Sequence, residues 1–210
     1  MQYLPIILTV ALIHLLAVMS PGPDFIMTVR NSLAYSRRSG IYSSIGLGLG
    51  IMVHVTYCLL GIALIISRSI VVFSIIKYIG AAYLLYIGFK SLRAKPHNDL
   101  VAVDEHQKTD LTKFEALRTG FLTNATNPKA TIFFLSLFTV VIHPGTPLPV
   151  KVIMGTEMVL ATMVWFSILT IIVSHRLVRH KIGRVQHYLE RFMGGILVLF
   201  AIKVATEHAK

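Results

Sequence analysis

Ser20-Pro21-Gly22-Pro23-Asp24, about two-thirds of the way along one apolar segment, and Asn124-Ala125-Thr126-Asn127-Pro128-Lys129, about halfway along another, decide how this chain reads. A proline inside a helix removes an amide donor and its ring collides with the carbonyl one turn earlier, so both segments are expected to break there. In hydrocarbon the freed backbone groups are satisfied only by protein, water or a bound solute. Broken helices at corresponding places in two halves of a membrane protein point to a transport site.

Composition supplies the membrane. Of 210 residues 55% are hydrophobic and 14% charged, with a mean hydropathy of +0.72, whereas a soluble domain carries roughly 25% charged residues. A hydrocarbon core takes about 20 residues of helix to cross. Six stretches qualify: Leu4 to about Val29, Ile41 to Ile66, Ile70 to about Phe89, Leu117 to Ile142, Val150 to Val173, and about Leu189 to Ala205. The sixth is the weakest, because it begins beside Glu190 and Arg191. The first is read as a retained span and not a cleaved signal, since no Lys or Arg precedes Arg30 and Ser-Pro-Gly-Pro is a poor cleavage site. The single Cys58 excludes a disulfide framework and reads as a small packing residue.

The net charge of +11 does not point to nucleic acid, because the charges fall between spans. Arg30, Arg37 and Arg38 lie in the first loop. Lys90, Arg93, Lys95, Lys108, Lys113 and Arg118 lie in the third, and Arg176, Arg179, Lys181, Arg184 and Arg191 in the fifth. These are fourteen of the 20 basic residues; the other side has Arg68, Lys77, Lys151, Lys203 and Lys210. The positive-inside rule then sets the odd loops in the cytoplasm and both termini outside, and anionic lipid headgroups suit the basic face.

Residues from about 94 to 116 form the one stretch of soluble character, a flexible cytoplasmic linker with scattered charges and no apolar periodicity. Its His97 and His106 match no compact metal site. On either side, about 1–93 and about 117–210 read as repeats within a single domain. Pro21 aligns with Pro128, Gly46 with Gly155 and Gly80 with Gly194, at offsets of 107, 109 and 114. Each unit has an odd number of spans, so the second copy is inverted: an all-α polytopic protein of two inverted three-helix repeats, with helices 1 and 4 broken by proline.

The break residues have chemical and structural readings side by side. Amides at the start of the helix after Pro23 attract an anionic group such as an amino-acid carboxylate, and Ser20 and Gly22 allow close approach; the alternative is a kink that shapes packing. Asp24 binds a substrate ammonium or exchanges a proton, or it caps the second half-helix. Lys129, opposite Gly22 by the repeat alignment, contacts a substrate carboxylate or only neutralises Asp24. Asn124 and Asn127 supply uncharged donors and acceptors, with Asn127 also a candidate for the carbonyls freed by Pro128. Glu157 in the fifth span, with Asp24 and His54, is a candidate for proton coupling; an interfacial Glu157 facing water competes. His14 and His54 each read more simply as packing residues. Gly46, Gly48 and Gly50 lie within a span and serve close helix packing, not phosphate binding. No nucleophile with a base and no metal cluster is recognisable, which argues against an intramembrane enzyme and calls for no cofactor.

His14-Leu-Leu-Ala-Val-Met-Ser20-Pro-Gly-Pro-Asp24, Gly46-Leu-Gly48-Leu-Gly50, Gly80-Ala-Ala-Tyr-Leu-Leu-Tyr86-Ile-Gly88 and Asn124-Ala-Thr-Asn127-Pro-Lys129-Ala together resemble the LysE/RhtB family of bacterial amino-acid exporters over essentially the whole chain. The stretch from Ser20 to Asp24 is most similar to threonine and homoserine exporters. The resemblance implies efflux of a small amino acid or derivative, driven by proton antiport; the residues of the two breaks, Ser20, Pro21, Gly22, Pro23, Asp24, Asn124, Asn127, Pro128 and Lys129, are the substrate-binding candidates. A passive channel or an importer is the alternative, and a homodimer stays open.

Overall fold

The computed structural model describes residues 2–20, 22–68, 110–140, 142 and 145–175, with isolated positions between 75 and 93 and between 188 and 202. Most of these residues are helical, and the rest lie in turns and short irregular connections. Six helices are bounded: α1 (Leu4–Met19), α2 (Pro23–Ala34), α3 (Arg37–Arg68), α4 (Lys113–Ala125), α5 (Pro128–Val140) and α6 (Leu148–Val173).

Both proline breaks are present. Ser20 is extended at ψ 124°, as a residue before proline prefers, and Gly22 is extended at φ −172° before Pro23 opens α2. The axes of α1 and α2 differ by 55°. Pro21 itself lies outside the described residues. In the second half α4 ends at Ala125, and Pro128 starts α5 after Thr126 and Asn127. Helix α4 begins at Lys113, inside the C-terminal edge of the stretch read as linker, most of which lies outside the described residues. There Thr112 Oγ1 accepts the Glu115 amide at 3.2 Å while a Glu115 carboxylate oxygen accepts the Thr112 amide at 2.9 Å. That capping box is the helix-start signature T-x-x-E, which overrode the charge pattern.

Just before it, Asp110 accepts hydrogen bonds from Ser36 N at 3.1 Å, Ser39 Oγ at 2.7 Å and Ser36 Oγ, so the end of the linker is tied to the start of α3. The serine hydroxyls hold the Asp110 carboxyl down at about 2.

The distribution of side chains is that of a protein in lipid. Helix α1 exposes Leu4, Leu8 and Leu12, the last two at 60% and 58%, yet buries His14 completely. Helix α6 likewise turns Val152, Ile153, Leu160, Val164 and Ile168 outward. Apolar surface on this scale is incompatible with water and expected against acyl chains. Buried hydroxyls return to their own helix: Thr28 Oγ1 donates to Asp24 O at 2.8 Å, Ser32 Oγ to Thr28 O at 2.6 Å and Ser44 Oγ to Gly40 O at 2.9 Å.

Helix α3 is the spine. A Cβ at Gly46 would lie 2.1 Å from Leu117 O, and one at Gly120 would lie 1.9 Å from Ser43 O, so α3 and α4 touch backbone to backbone. On another side of α3, Gly48 abuts Met163 and Gly155 abuts Val55, which seats α6. The small residues in the glycine run thus face two different neighbours.

Among the described residues two helices are long and apolar enough to cross a membrane, the Arg37–Gly61 stretch of α3 and all of α6; α1 and α2 taken as one bent span make a third. Helix α5 contributes a shorter apolar stretch, Pro128–Thr139. The spans expected at 70–89 and 189–205 fall mostly outside the described residues. Their described positions are helical, and a Cβ at Gly88 would meet Val198 Cγ2 at 2.7 Å and Gly194 O at 3.0 Å, so these two segments touch.

Candidate functional site

The two breaks meet. Asp24, in the first turn of α2, does not cap that helix: Gly22 occupies the N-cap position, with no side-chain cap bond. Its carboxylate crosses to the other half, where Oδ2 accepts Asn124 Nδ2 at 2.8 Å and Oδ1 accepts Asn127 Nδ2 at 3.0 Å. The negative charge thus sits at the positive end of α2 with an amide donor on each oxygen. Asn127 has a second duty. Its Oδ1 accepts Lys129 N at 2.9 Å, capping α5, so its side chain serves a freed amide and not the carbonyls released by Pro128.

The carbonyl that Pro128 deprives of its usual partner is that of Asn124, four residues earlier. It accepts the Asn127 amide instead at 2.9 Å and, from α3, His54 Nε2 at 2.9 Å. His54 is therefore tied to the second break, and since a carbonyl only accepts, its Nε2 carries a proton. Its Nδ1 meets Tyr57 Oη at 2.9 Å, and Tyr57 Oη also reaches Thr131 O at 3.4 Å. The His54 ring stacks on Phe134 at 5.4 Å between centroids.

Lys129 performs the reciprocal service for the first break. Its Nζ donates to Ser20 O at 2.8 Å, placing a cation on a carbonyl at the C-terminal end of α1. Its stem runs along Gly22, where a Cβ would sit 3.1 Å from Lys129 Cδ and 3.3 Å from Nζ. Lys129 and His54 both lie within electrostatic reach of Asp24. Each half thus supplies the charged side chain that satisfies the other half's broken end.

Between these groups lies a cavity of about 40 Å3, lined on its polar side by Ser20, Gly22, Asp24, Asn124, Asn127 and Lys129. Its apolar wall is Ile51, Phe133, Phe134 and Phe166, with Ala17 and Val18 from α1. Of the expected site residues, Pro23 and Pro128 set helix starts without lining this space, and Pro21 lies outside the described residues. His54 adjoins the cavity through Asn124 but does not line it. Glu157 does not line it either; it is partly buried, with Oε2 lacking a hydrogen-bond partner. His14, which reads as packing in the sequence, does line the cavity. The spacing of His14, Ala17 and Val18 on one face of α1 is the signal that would have found it.

A family model described as LysE type translocator matches residues 15–208. The chain is 28% identical over 199 residues to the threonine efflux protein of Escherichia coli strain K12, covering 95% of this chain and 97% of that protein. It is 30% identical over 195 residues to the threonine efflux protein of Salmonella typhi, covering 92% of this chain and 94% of the relative. It is also 30% identical over 188 residues to YahN, an uncharacterized membrane protein of Escherichia coli strain K12, covering 90% and 83% respectively. No solved structure matches significantly. With its apolar helices and a match that runs through nearly its whole length, the chain belongs to the LysE type translocator family of membrane proteins.

Proposed function

We propose that the chain is a secondary transporter that exports a small amino acid or derivative, threonine-like or homoserine-like, from the cytoplasm by proton antiport. The observation that carries this reading is the meeting of Asp24 and Lys129, with Asn124 and Asn127, around one cavity where two broken helices converge. A free amino acid carries an ammonium and a carboxylate, and this cavity offers one acid and one base. In the proposed cycle the ammonium competes for Asp24 with the two asparagine amides, while the carboxylate draws Lys129 Nζ from Ser20 O. Substrate binding therefore loosens the contacts that tie α1 and α2 to α4 and α5, the kind of change alternating access requires.

Ser20 and Gly22 let the substrate approach the backbone, and Pro21, Pro23 and Pro128 keep the helix ends open. Proton coupling is assigned to Asp24 and His54, which Asn124 joins, with Glu157 as an outlying candidate. The full arrangement is six spans in two inverted repeats of the inner membrane, cytoplasmic odd loops and both termini outside, supported by the charge distribution and by the contact of Gly88 with Gly194 and Val198. The names of the threonine efflux relatives support export as the direction.

The test is efflux from cells preloaded with labelled threonine, homoserine, serine and alanine. Expression is expected to accelerate loss of at least one of them, and collapsing the proton gradient to abolish the gain. Unchanged efflux across the proteinogenic amino acids sinks the substrate class; efflux that survives the collapse sinks the coupling.

A further inference from the structure

Three residues that line the cavity each carry a buried polar atom without a hydrogen-bond partner: His14 Nδ1, Ser20 Oγ and Asn124 Oδ1. The residues that carry them are 0%, 3% and 1% exposed. Buried polar groups in folded proteins are almost always paired, so three unpaired ones around one small space call for a polar ligand there. The remaining polar atoms of the break are committed: the Asn124 amide to Asp24, the Asn127 oxygen to Lys129 N, and the Lys129 ammonium to Ser20 O.

His14 is the informative member, because it stands apart from the charged pair. Its ring is held by tilted contacts with Phe133 and Phe134, at 6.2 and 5.9 Å between centroids, and its Nε2 meets Thr162 Oγ1 at 3.4 Å. A threonine hydroxyl both donates and accepts, so Thr162 suits either ring tautomer and leaves Nδ1 as an acceptor in one and a donor in the other. Among small neutral groups, a hydroxyl meets both demands. The hydroxyl of Ser20, also a lining residue, has the same two-way character.

Resting on the amino-acid reading above, we propose that His14 and Ser20 form a subsite that recognises a hydroxyl group on the side chain of the transported amino acid, with Thr162 positioning the His14 ring. The apolar wall of Phe133, Phe134 and Phe166 then encloses the carbon skeleton. The cavity of about 40 Å3 compares with the roughly 10–15 Å3 that one water needs on the same measure, which favours a short side chain over an aromatic or long cationic one.

The experiment measures binding by the purified full chain in nanodiscs, using threonine against valine and serine against alanine. Threonine and valine are close to isosteric, so the pair reports the hydroxyl. The wild type is expected to favour threonine over valine by roughly three- to tenfold, the worth of one neutral hydrogen bond. His14→Phe, which keeps a ring against Phe133 and Phe134, should bring that ratio near one; His14→Gln, which keeps a hydrogen-bonding group, should retain part of it; Ser20→Ala should lower it. Thr162→Val should lower it less than His14→Phe. Wild-type protein that binds amino acids without preferring the hydroxylated member overturns the subsite and leaves the amino-acid site standing. So does a His14→Phe ratio equal to that of the wild type. No binding of any of the four overturns the amino-acid reading and the subsite together. If no His14 variant folds, the wild-type ratio and the Ser20→Ala ratio still decide the matter.

Discussion

Replacing Asp24 by asparagine tests whether its carboxylate is what joins the two halves. In the native protein each oxygen accepts one amide, at 2.8 Å from Asn124 and 3.0 Å from Asn127. Asn127 cannot turn over without abandoning the Lys129 amide it caps, so the new side-chain oxygen must stay toward Asn127. The new NH2 then faces Asn124, whose Oδ1 has no partner in the native arrangement and is available to accept once that amide rotates. Both contacts survive as neutral bonds. Hydrogen bonds to charged groups contribute about 1.5–3 kcal/mol and neutral ones about 0.5–1.5, so each contact weakens by about 1–1.5 kcal/mol. Relief from burying a carboxylate offsets part of that loss, which makes the total for Asp24→Asn a poor measure of the clamp. A cycle with Asn127→Leu isolates it. Losing the α5 cap is common to both backgrounds and cancels, so Asn127→Leu should cost about 1–1.5 kcal/mol less in the Asp24→Asn protein than in the wild type. Equilibrium unfolding of the four proteins in mixed micelles reads the difference. Additivity within about 0.5 kcal/mol refutes the clamp.

Gly120→Ala should destabilise the protein by about 1–3 kcal/mol or prevent its accumulation, since the new methyl would lie 1.9 Å from the Ser43 carbonyl and neither backbone can yield; Gly61→Ala, with nothing within 4 Å, should be neutral or stabilising in the same thermal assay. Asp110 has a lower pKa folded than unfolded, so its tether to α3 contributes fully above about pH 4 and is lost as the pH falls toward about 2. Protection of the Ser36 and Leu111 amides, their exchange rate taken relative to the intrinsic rate at each pH, should fall across that window in the wild type and be low throughout in Asp110→Ala; a flat wild-type protection profile removes the tether. Glu157→Gln keeps side-chain volume and removes one titration, so the protein should remain folded while efflux at two external pH values changes its ratio. An unaltered ratio takes Glu157 off the proton path.

Much of this was legible in the chain because proline acts locally. Pro23 and Pro128 forbid a continuous helix whatever surrounds them, and a run of apolar residues declares lipid before any contact is known. The capping box at Thr112 and Glu115 was equally local and equally readable, and it moves the start of α4 ahead of the apolar pattern. The glycines foretold close packing but not its partners: Gly46 faces α4 while Gly48, two residues on, faces α6, because successive positions on a helix point some 100° apart.

The assignment of each polar group to its partner belonged to the tertiary structure alone. Sequence set an acid after one break and a lysine after the other, and left open whether Asp24 capped its own helix or bonded across. The fold brings Asn124 and Asn127 to its two oxygens from about a hundred residues away, hands the Ser20 carbonyl to Lys129, and gives the Asn124 carbonyl to His54. A helix interrupted in lipid must find donors and acceptors somewhere, so sequence determines that the need exists. Which side chain meets it depends on how α1, α2, α4 and α5 approach one another, and that is also why His14, nearly two turns ahead of the break, proves to line the same cavity.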